Sequence, residues 1–102
     1  MDPSRSHIPE TAVRLATEIG LPPGKVIFDT QFAGWFADFA VGNDVLHTWS
    51  DRGEFWASIE RSGSSISIPF SPELQRSQDL EAQFRRALLH FKQFISSGLT
   101  YG

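Results

Sequence analysis

The stretch from residue 34 to residue 56, GWFADFAVGNDVLHTWSDRGEFW, decides the fold of this chain. Apolar and polar residues alternate along much of it, and two turn signals, GN (42–43) and DRG (51–53), interrupt it. Alternation with a period of two is typical of β-strands, and short turns of this kind join antiparallel neighbours. The stretch therefore predicts three consecutive strands of an antiparallel sheet. It also holds all three tryptophans of the chain, so the role of these rings is the main functional question.

The turns predict the register of the sheet as well as its topology. GN fits a two-residue hairpin, DRG fits a three-residue turn that ends in a left-handed glycine, and a third signal, SG (62–63), fits another tight turn. The pairs that we expect to flank these turns are Val41–Asp44, Ser50–Glu54 and Arg61–Ser64.

Because successive strand residues point to opposite sides, this register sorts the side chains into two faces. The predicted helix-covered face holds Phe36, Asp38, Ala40, Val45, His47, Trp49, Phe55, Ala57, Ile59, Ile66, Ile68 and Phe70. The predicted opposite face holds Trp35, Ala37, Phe39, Val41, Leu46, Thr48, Trp56, Ser58 and Glu60.

Helical patterns flank the predicted sheet on both sides. Apolar residues recur at helical spacing from Ile8 to Ile19, and a longer periodic run extends from Leu80 to Ile95. Ser71 followed by Pro72 is a helix-start pattern, and KVIFD (25–29) predicts one more strand. The expected fold is α+β: a four- to five-stranded antiparallel meander with a short N-terminal helix and a long C-terminal helix packed on one face. We expect one domain, 1–102, with residues 1–7 as a flexible tail.

Composition limits the classes of partner. The chain has 102 residues, a formal net charge of −3 and no cysteine. An acidic balance argues against direct binding to nucleic acid, and no apolar run is long enough for a membrane span. The polar start lacks the apolar run that a signal peptide needs, and the lack of cysteine suits a reducing compartment, so a cytoplasmic location is expected.

Few residues suggest catalysis. In the predicted register Asp38 lies across from His47, where a carboxylate could orient an imidazole for acid–base chemistry. A structural hydrogen-bonded pair is the simpler interpretation, because no nucleophile motif is present. The three histidines lack metal-ligand spacing, and no phosphate loop occurs. The sequence therefore predicts neither an enzyme nor a cofactor.

The aromatic residues predict a binding surface. Core packing accounts for rings on the helix-covered face, but one long helix cannot also cover the other face. Clustered exposed rings mark interaction surfaces, unless the N-terminal helix or segment 21–33 folds over them. The predicted partner-binding residues are Trp35, Phe39, Leu46 and Trp56, with Asp51, Arg52 and Glu54 as a polar rim.

These observations favour a small protein-binding module. Residues 32–60 contain five acidic residues against Arg52 alone, so a partner protein with a basic surface would be complementary. Small, acidic, cysteine-free α/β proteins are typical of bacterial immunity proteins and of phage-encoded inhibitors of host defence, although fold and size do not specify function. The alternatives are an effector chaperone or a subunit that forms a homodimer through the aromatic face, and, third, an enzyme using Asp38 and His47.

Overall fold

The computed structural model describes residues 7–22, 24–31 and 34–97. The N-terminal helix and the long C-terminal helix cover one face of a sheet. A short third helix links the last strand to the C-terminal helix. The elements, in chain order, are α1 (His7–Glu18), β1 (Lys25–Gln31), β2 (Gly34–Val41), β3 (Asp44–Asp51), β4 (Glu54–Arg61), β5 (Ser64–Ser67), α2 (Pro72–Arg76) and α3 (Leu80–Ser97).

The sheet is a five-stranded antiparallel meander with the strand order β1-β2-β3-β4-β5. The predicted α+β class and the predicted antiparallel topology are therefore confirmed. The pairs Val41–Asp44 and Arg61–Ser64 are also as predicted. The GN turn places Gly42 at a positive φ of 61°, which a glycine adopts without steric cost.

The predicted register of the middle turn is wrong by one residue. Asp51 pairs with Glu54, so only Arg52 and Gly53 lie in the turn, at φ values of 53° and 83°. Two positive φ values in a two-residue loop match the twist of the flanking strands. They also place Arg52 in a region that side chains disfavour by about 1–2 kcal/mol.

A one-residue shift moves every side chain of one strand to the other face relative to its neighbour. The observed register places Trp49 directly opposite Trp56, not opposite Phe55. The three-residue turn would have placed Asp38 and His47 on the same face as Phe55, under the helices. Burying polar groups without full compensation costs about 1–3 kcal/mol each by protein mutational data, which outweighs the strain at Arg52.

The helices cover the face that carries Trp35, not the face that carries Trp49. The sheet residues buried on this face are Trp35, Ala37, Phe39, Asp44, Leu46, Thr48, Phe55, Ala57 and Ile59. The residues of β4 that face the helices are therefore the predicted ones. In β2 and β3, the residues that face the helices are those predicted for the opposite face. Both faces of β2 and β3 carry large apolar side chains, so alternation alone could not decide which one the helices cover.

Helix α3 supplies most of the ring packing against the sheet. Phe84 stacks on Trp35 with ring centroids 5.7 Å apart, and it meets Phe55 edge-on at 5.3 Å. Phe91 packs edge-on against Phe39 at 6.4 Å. The hydroxyl of the buried Thr48 donates a hydrogen bond of 2.6 Å to a backbone carbonyl of β2, so this polar side chain is satisfied within the core.

Helix α1 covers the β1 side of the same face. Its buried stripe includes Ala12 and Leu15, and Arg14 on its outer surface bonds Glu81 of α3 at 3.1 Å. The helix begins at His7, the last residue of the predicted tail, while residues 1–6 lie outside the described part of the chain. Within the described residues, no helix is long and apolar enough to cross a membrane.

Candidate functional site

The face of the sheet turned away from α1 and α3 is the candidate site, and we call it the open face. Neither long helix packs on it, because both lie on the side of Trp35 and Leu46. The strand registers place on the open face Lys25, Ile27, Asp29, Phe36, Asp38, Ala40, Val45, His47, Trp49, Asp51, Glu54, Trp56, Ser58, Glu60, Ser65 and Ser67.

Three rings form a row across the open face. Phe36 pairs with Trp49, and Trp49 pairs with Trp56, so the three side chains lie side by side on neighbouring strands. Trp56 is 41% exposed, and the other two are partly exposed. Ile27, on the edge strand of the same face, is 48% exposed. Large apolar side chains exposed on one sheet face are characteristic of interaction surfaces.

The predicted site residues divide between the core and the open face. Trp35, Phe39 and Leu46 are buried beneath the helices, so the expectation that they form an exposed patch is wrong. The reason is the reversed assignment of β2 and β3. Trp56 does lie on the open face. The observed turn is one residue shorter than predicted, so Trp56 pairs with Trp49 and shares its face.

The predicted polar rim lies next to the ring row. Asp51 and Arg52 are exposed at the β3–β4 turn, and Glu54 is partly exposed and accepts a 3.0 Å hydrogen bond from Arg76 of α2. The sequence analysis missed Phe36 and Trp49 as surface residues. An RG turn read as a two-residue loop would have placed Trp49 beside Trp56 and thereby identified them.

A row of three hydrogen-bonded polar side chains crosses the open face. His47 Nδ1 lies 2.9 Å from Asp38 Oδ1, and His47 Nε2 lies 2.9 Å from Glu60 Oε1. The contact that the sequence predicted between Asp38 and His47 is present, and Glu60 adds a second carboxylate. Partial burial lowers the pKa of His47, but hydrogen bonds to Glu60 and Asp38 and their negative charges raise it overall above its ordinary value.

This arrangement gives little support to acid–base catalysis. Ser58 lies opposite His47 in the sheet, so Asp38, His47 and Ser58 share one row. However, the ring nitrogen that would take a proton from a serine is bonded to Glu60. With a carboxylate on each nitrogen, the imidazole is held as a hydrogen-bonded structural group. Among the residues that the structure describes, no cluster of acidic residues and histidines is arranged to hold a metal ion.

The open face is acidic around its rings. The carboxylates on this face are Asp29, Asp38, Asp51, Glu54 and Glu60, and Lys25 at the edge of the sheet is the lysine there. Asp38 and Glu60 are bonded to His47 and Glu54 to Arg76, so the exposed Asp29 and Asp51 are the carboxylates most available to a partner. The sequence predicted an acidic, ring-bearing sheet surface, and the described structure has one that keeps Trp56 but carries Phe36 and Trp49 in place of Trp35 and Phe39.

A second depression lies on the outer side of α3. Its lining includes Leu74 of α2 and, from α3, Arg85, Arg86, Leu89 and His90. This surface is more basic than the open face, and Leu89 is 40% exposed. Leu89 thus matches Trp56 in exposure but lies on the opposite side of the molecule from the open face.

No family model matches this chain, and no curated protein and no solved structure is significantly similar to it.

Proposed function

We propose that this protein is a small protein-binding module that blocks a partner protein through its open face, in the manner of an inhibitor or an immunity protein. The observation that carries the proposal is the row Phe36–Trp49–Trp56, in which Trp56 is exposed and the other two rings are partly exposed. The row lies beside acidic side chains on a face that neither long helix covers. Tryptophan is among the residues that contribute most to binding at interfaces, above all when a partner can desolvate it.

The acidic surroundings support a partner with a basic surface. Asp29 and Asp51 would face positive charge on the partner, which speeds association and disfavours acidic competitors. Arginine would fit especially well, because a guanidinium can lie over a tryptophan face while donating hydrogen bonds to a neighbouring carboxylate. We place the protein in the cytoplasm, consistent with the absence of cysteine.

Two other functions use the same surface. An effector chaperone would cover an apolar segment of its client with the ring row, and a dimerising subunit would cover the row with a second copy. The acidic carboxylates favour the inhibitor, because two copies of one acidic face repel each other. An enzyme based on Asp38 and His47 is the third candidate, and the bond from His47 to Glu60 disfavours it.

The experiment compares two variants of matched exposure. Trp56→Ser removes a ring from the open face, and Leu89→Ser removes an apolar side chain from the outer side of α3. Each tagged protein is incubated with lysate of the host cell, and proteins captured in stoichiometric amounts are identified and purified. We expect a basic partner that is bound by the wild type and by Leu89→Ser, with at least about 30-fold weaker binding to Trp56→Ser.

The activity of that purified partner is then measured with and without the bound protein. Inhibition by wild type but not by Trp56→Ser supports a blocking role, and unchanged partner activity points to a chaperone. A partner that is lost with Leu89→Ser and retained with Trp56→Ser would place binding on the outer side of α3 and contradict the proposal.

A further inference from the structure

Strand β1 forms one edge of the sheet and differs from the opposite edge. Within the described residues β1 pairs only with β2, and it runs for seven residues from Lys25 to Gln31. The other edge, β5, has four residues, three of which are serines. Both edges carry an exposed isoleucine, Ile27 in β1 and Ile66 in β5. The shorter, serine-rich β5 offers fewer backbone groups for pairing with another chain, so β1 is the better template.

The hydrogen-bonding groups of β1 alternate in direction, and the register shows which ones point outward. Val41 and Asp44 flank a two-residue turn and therefore form a hydrogen-bonded pair. Alternation along β2 then directs the backbone of Lys25, Ile27 and Asp29 toward β2. It directs the N–H and C=O groups of the three intervening residues away from the sheet. These outward residues are Val26, Phe28 and Thr30.

A second copy of β1 fits this edge in one particular antiparallel register. If a two-fold axis passes beside Ile27, the two Ile27 side chains face each other on the open-face side. Lys25 of each copy then lies opposite Asp29 of the other, so the register forms two symmetry-related ion pairs. Val26 of each copy meets Phe28 of the other on the helix side, and these pairs also carry the outward hydrogen-bonding groups.

Helix α1, which packs against β1, also carries an exposed apolar side chain, because Val13 is 47% exposed. Val13 and Ile27 thus lie on neighbouring elements. They are the two most exposed large apolar residues in the described part of the chain.

We propose that two copies of this chain join edge to edge through β1, in the register that pairs Lys25 with Asp29, and form a continuous ten-stranded sheet. The self-complementary charges select a second copy as the occupant of this edge. The dimer leaves Phe36, Trp49 and Trp56 uncovered, so it presents two open faces side by side. The dimer does not use the ring row, although Asp29 belongs to the open face as well as to the β1 edge. Trp56→Ser therefore tests the partner site alone, and Lys25→Asp tests the dimer.

Sedimentation velocity of the purified chain tests the dimer, at concentrations up to about 0.5 mM because small interfaces are weak. We expect a mass near twice the 11.4 kDa of one chain. Lys25→Asp and Asp29→Lys should each weaken association at least about tenfold, since each places like charges opposite each other at both symmetry-related pairs. The double variant Lys25→Asp/Asp29→Lys should restore it.

Matched controls assign the dimer to this edge. Ser65→Lys alters the β5 edge and Trp56→Ser alters the open face, and neither should change the mass. Far-ultraviolet circular dichroism checks that each substitution leaves the fold intact. A wild type that stays at the mass of one chain would overturn the proposal. A double variant that fails to restore association would overturn the register, and loss of the dimer in either control would overturn the assignment to β1.

Discussion

At the scale of single residues, His47 has the most distinctive environment in this structure. Its two ring nitrogens face Asp38 and Glu60, and both contacts are ideal for an imidazolium that donates two hydrogen bonds. His90 on α3 has the opposite environment, because burial and the charge of Arg86 lower its pKa. The two histidines should therefore respond to pH in opposite directions.

We predict that nuclear magnetic resonance titration gives His47 a pKa above, and His90 a pKa below, the ordinary value of about 6.5. Because the pKa of His47 is raised in the folded state, its contribution to stability is complete below the unfolded-state pKa. That contribution is lost as pH rises through the folded-state pKa. His47→Gln should consequently flatten the decrease in the free energy of unfolding above about pH 6.5.

His90→Gln provides the control with the opposite sign. A lowered folded-state pKa contributes stability that is complete above the unfolded-state pKa and is lost as pH falls through the folded-state pKa. His90→Gln should therefore remove a rise in the free energy of unfolding with pH below about 6.5 and leave the slope at higher pH unchanged. Urea unfolding at several pH values measures both slopes. If His47 titrates below His90, the hydrogen bonds to Asp38 and Glu60 do not hold the imidazolium.

At the scale of elements, the turn between β3 and β4 determines which rings are available to a partner. The turn requires positive φ at Arg52 as well as at Gly53. Arginine is disfavoured there by about 1–2 kcal/mol, whereas asparagine followed by glycine is the preferred pair for such a turn. We predict that Arg52→Asn raises the free energy of unfolding by about 0.5–1 kcal/mol.

Asp51→Asn is the matched control for this turn, because Asp51 is exposed in the neighbouring strand and does not adopt positive φ. Asp51→Asn should leave the free energy of unfolding, measured by urea titration, nearly unchanged. A three-residue turn would keep Arg52 in a right-handed conformation, so asparagine would then bring no gain. An unchanged stability in Arg52→Asn would thus argue against the two-residue register.

This turn also explains what the sequence could and could not predict. GN and SG allow few geometries, and the pairs around them were correct. DRG fits both a two-residue and a three-residue loop, and choosing between them requires comparing strain at Arg52 with the burial of Asp38 and His47. That comparison depends on which face the helices cover. Packing of α3 against Trp35 decides this, and it is not encoded in strand alternation.

At the scale of the whole molecule, the two faces of the sheet have different roles. One face carries Trp35, Phe55 and Leu46 against α1 and α3 and supplies the core. The other carries Trp49 and Trp56 without a covering helix. The rings do divide by face, but the predicted sets are wrong for four of the six rings: Trp35 and Phe39 are buried, and Phe36 and Trp49 lie on the open face. Phe55 and Trp56 lie as predicted. The side chains that stabilise the fold and those proposed to bind a partner thus lie on opposite faces of the same sheet.

This division can be tested with the two tryptophans at the extremes of burial. Trp35 is 7% exposed and contacts Phe28, Phe55 and Phe84, so Trp35→Ala should lower the free energy of unfolding by about 3–5 kcal/mol. Trp56→Ala removes a ring that is 41% exposed and should change it by less than about 1 kcal/mol.

The same two proteins should show the reverse order in binding. Trp56→Ala is expected to weaken capture of the partner by about 2 kcal/mol or more, because a ring desolvated at an interface contributes strongly there. Trp35→Ala, studied at a temperature where it remains folded, should bind nearly as well as the wild type, since Trp35 lies beneath the sheet. Urea unfolding and calorimetric titration measure the two quantities on the same preparations. If both substitutions destabilised the fold equally, the open face would belong to a second core, and the partner would have to bind elsewhere.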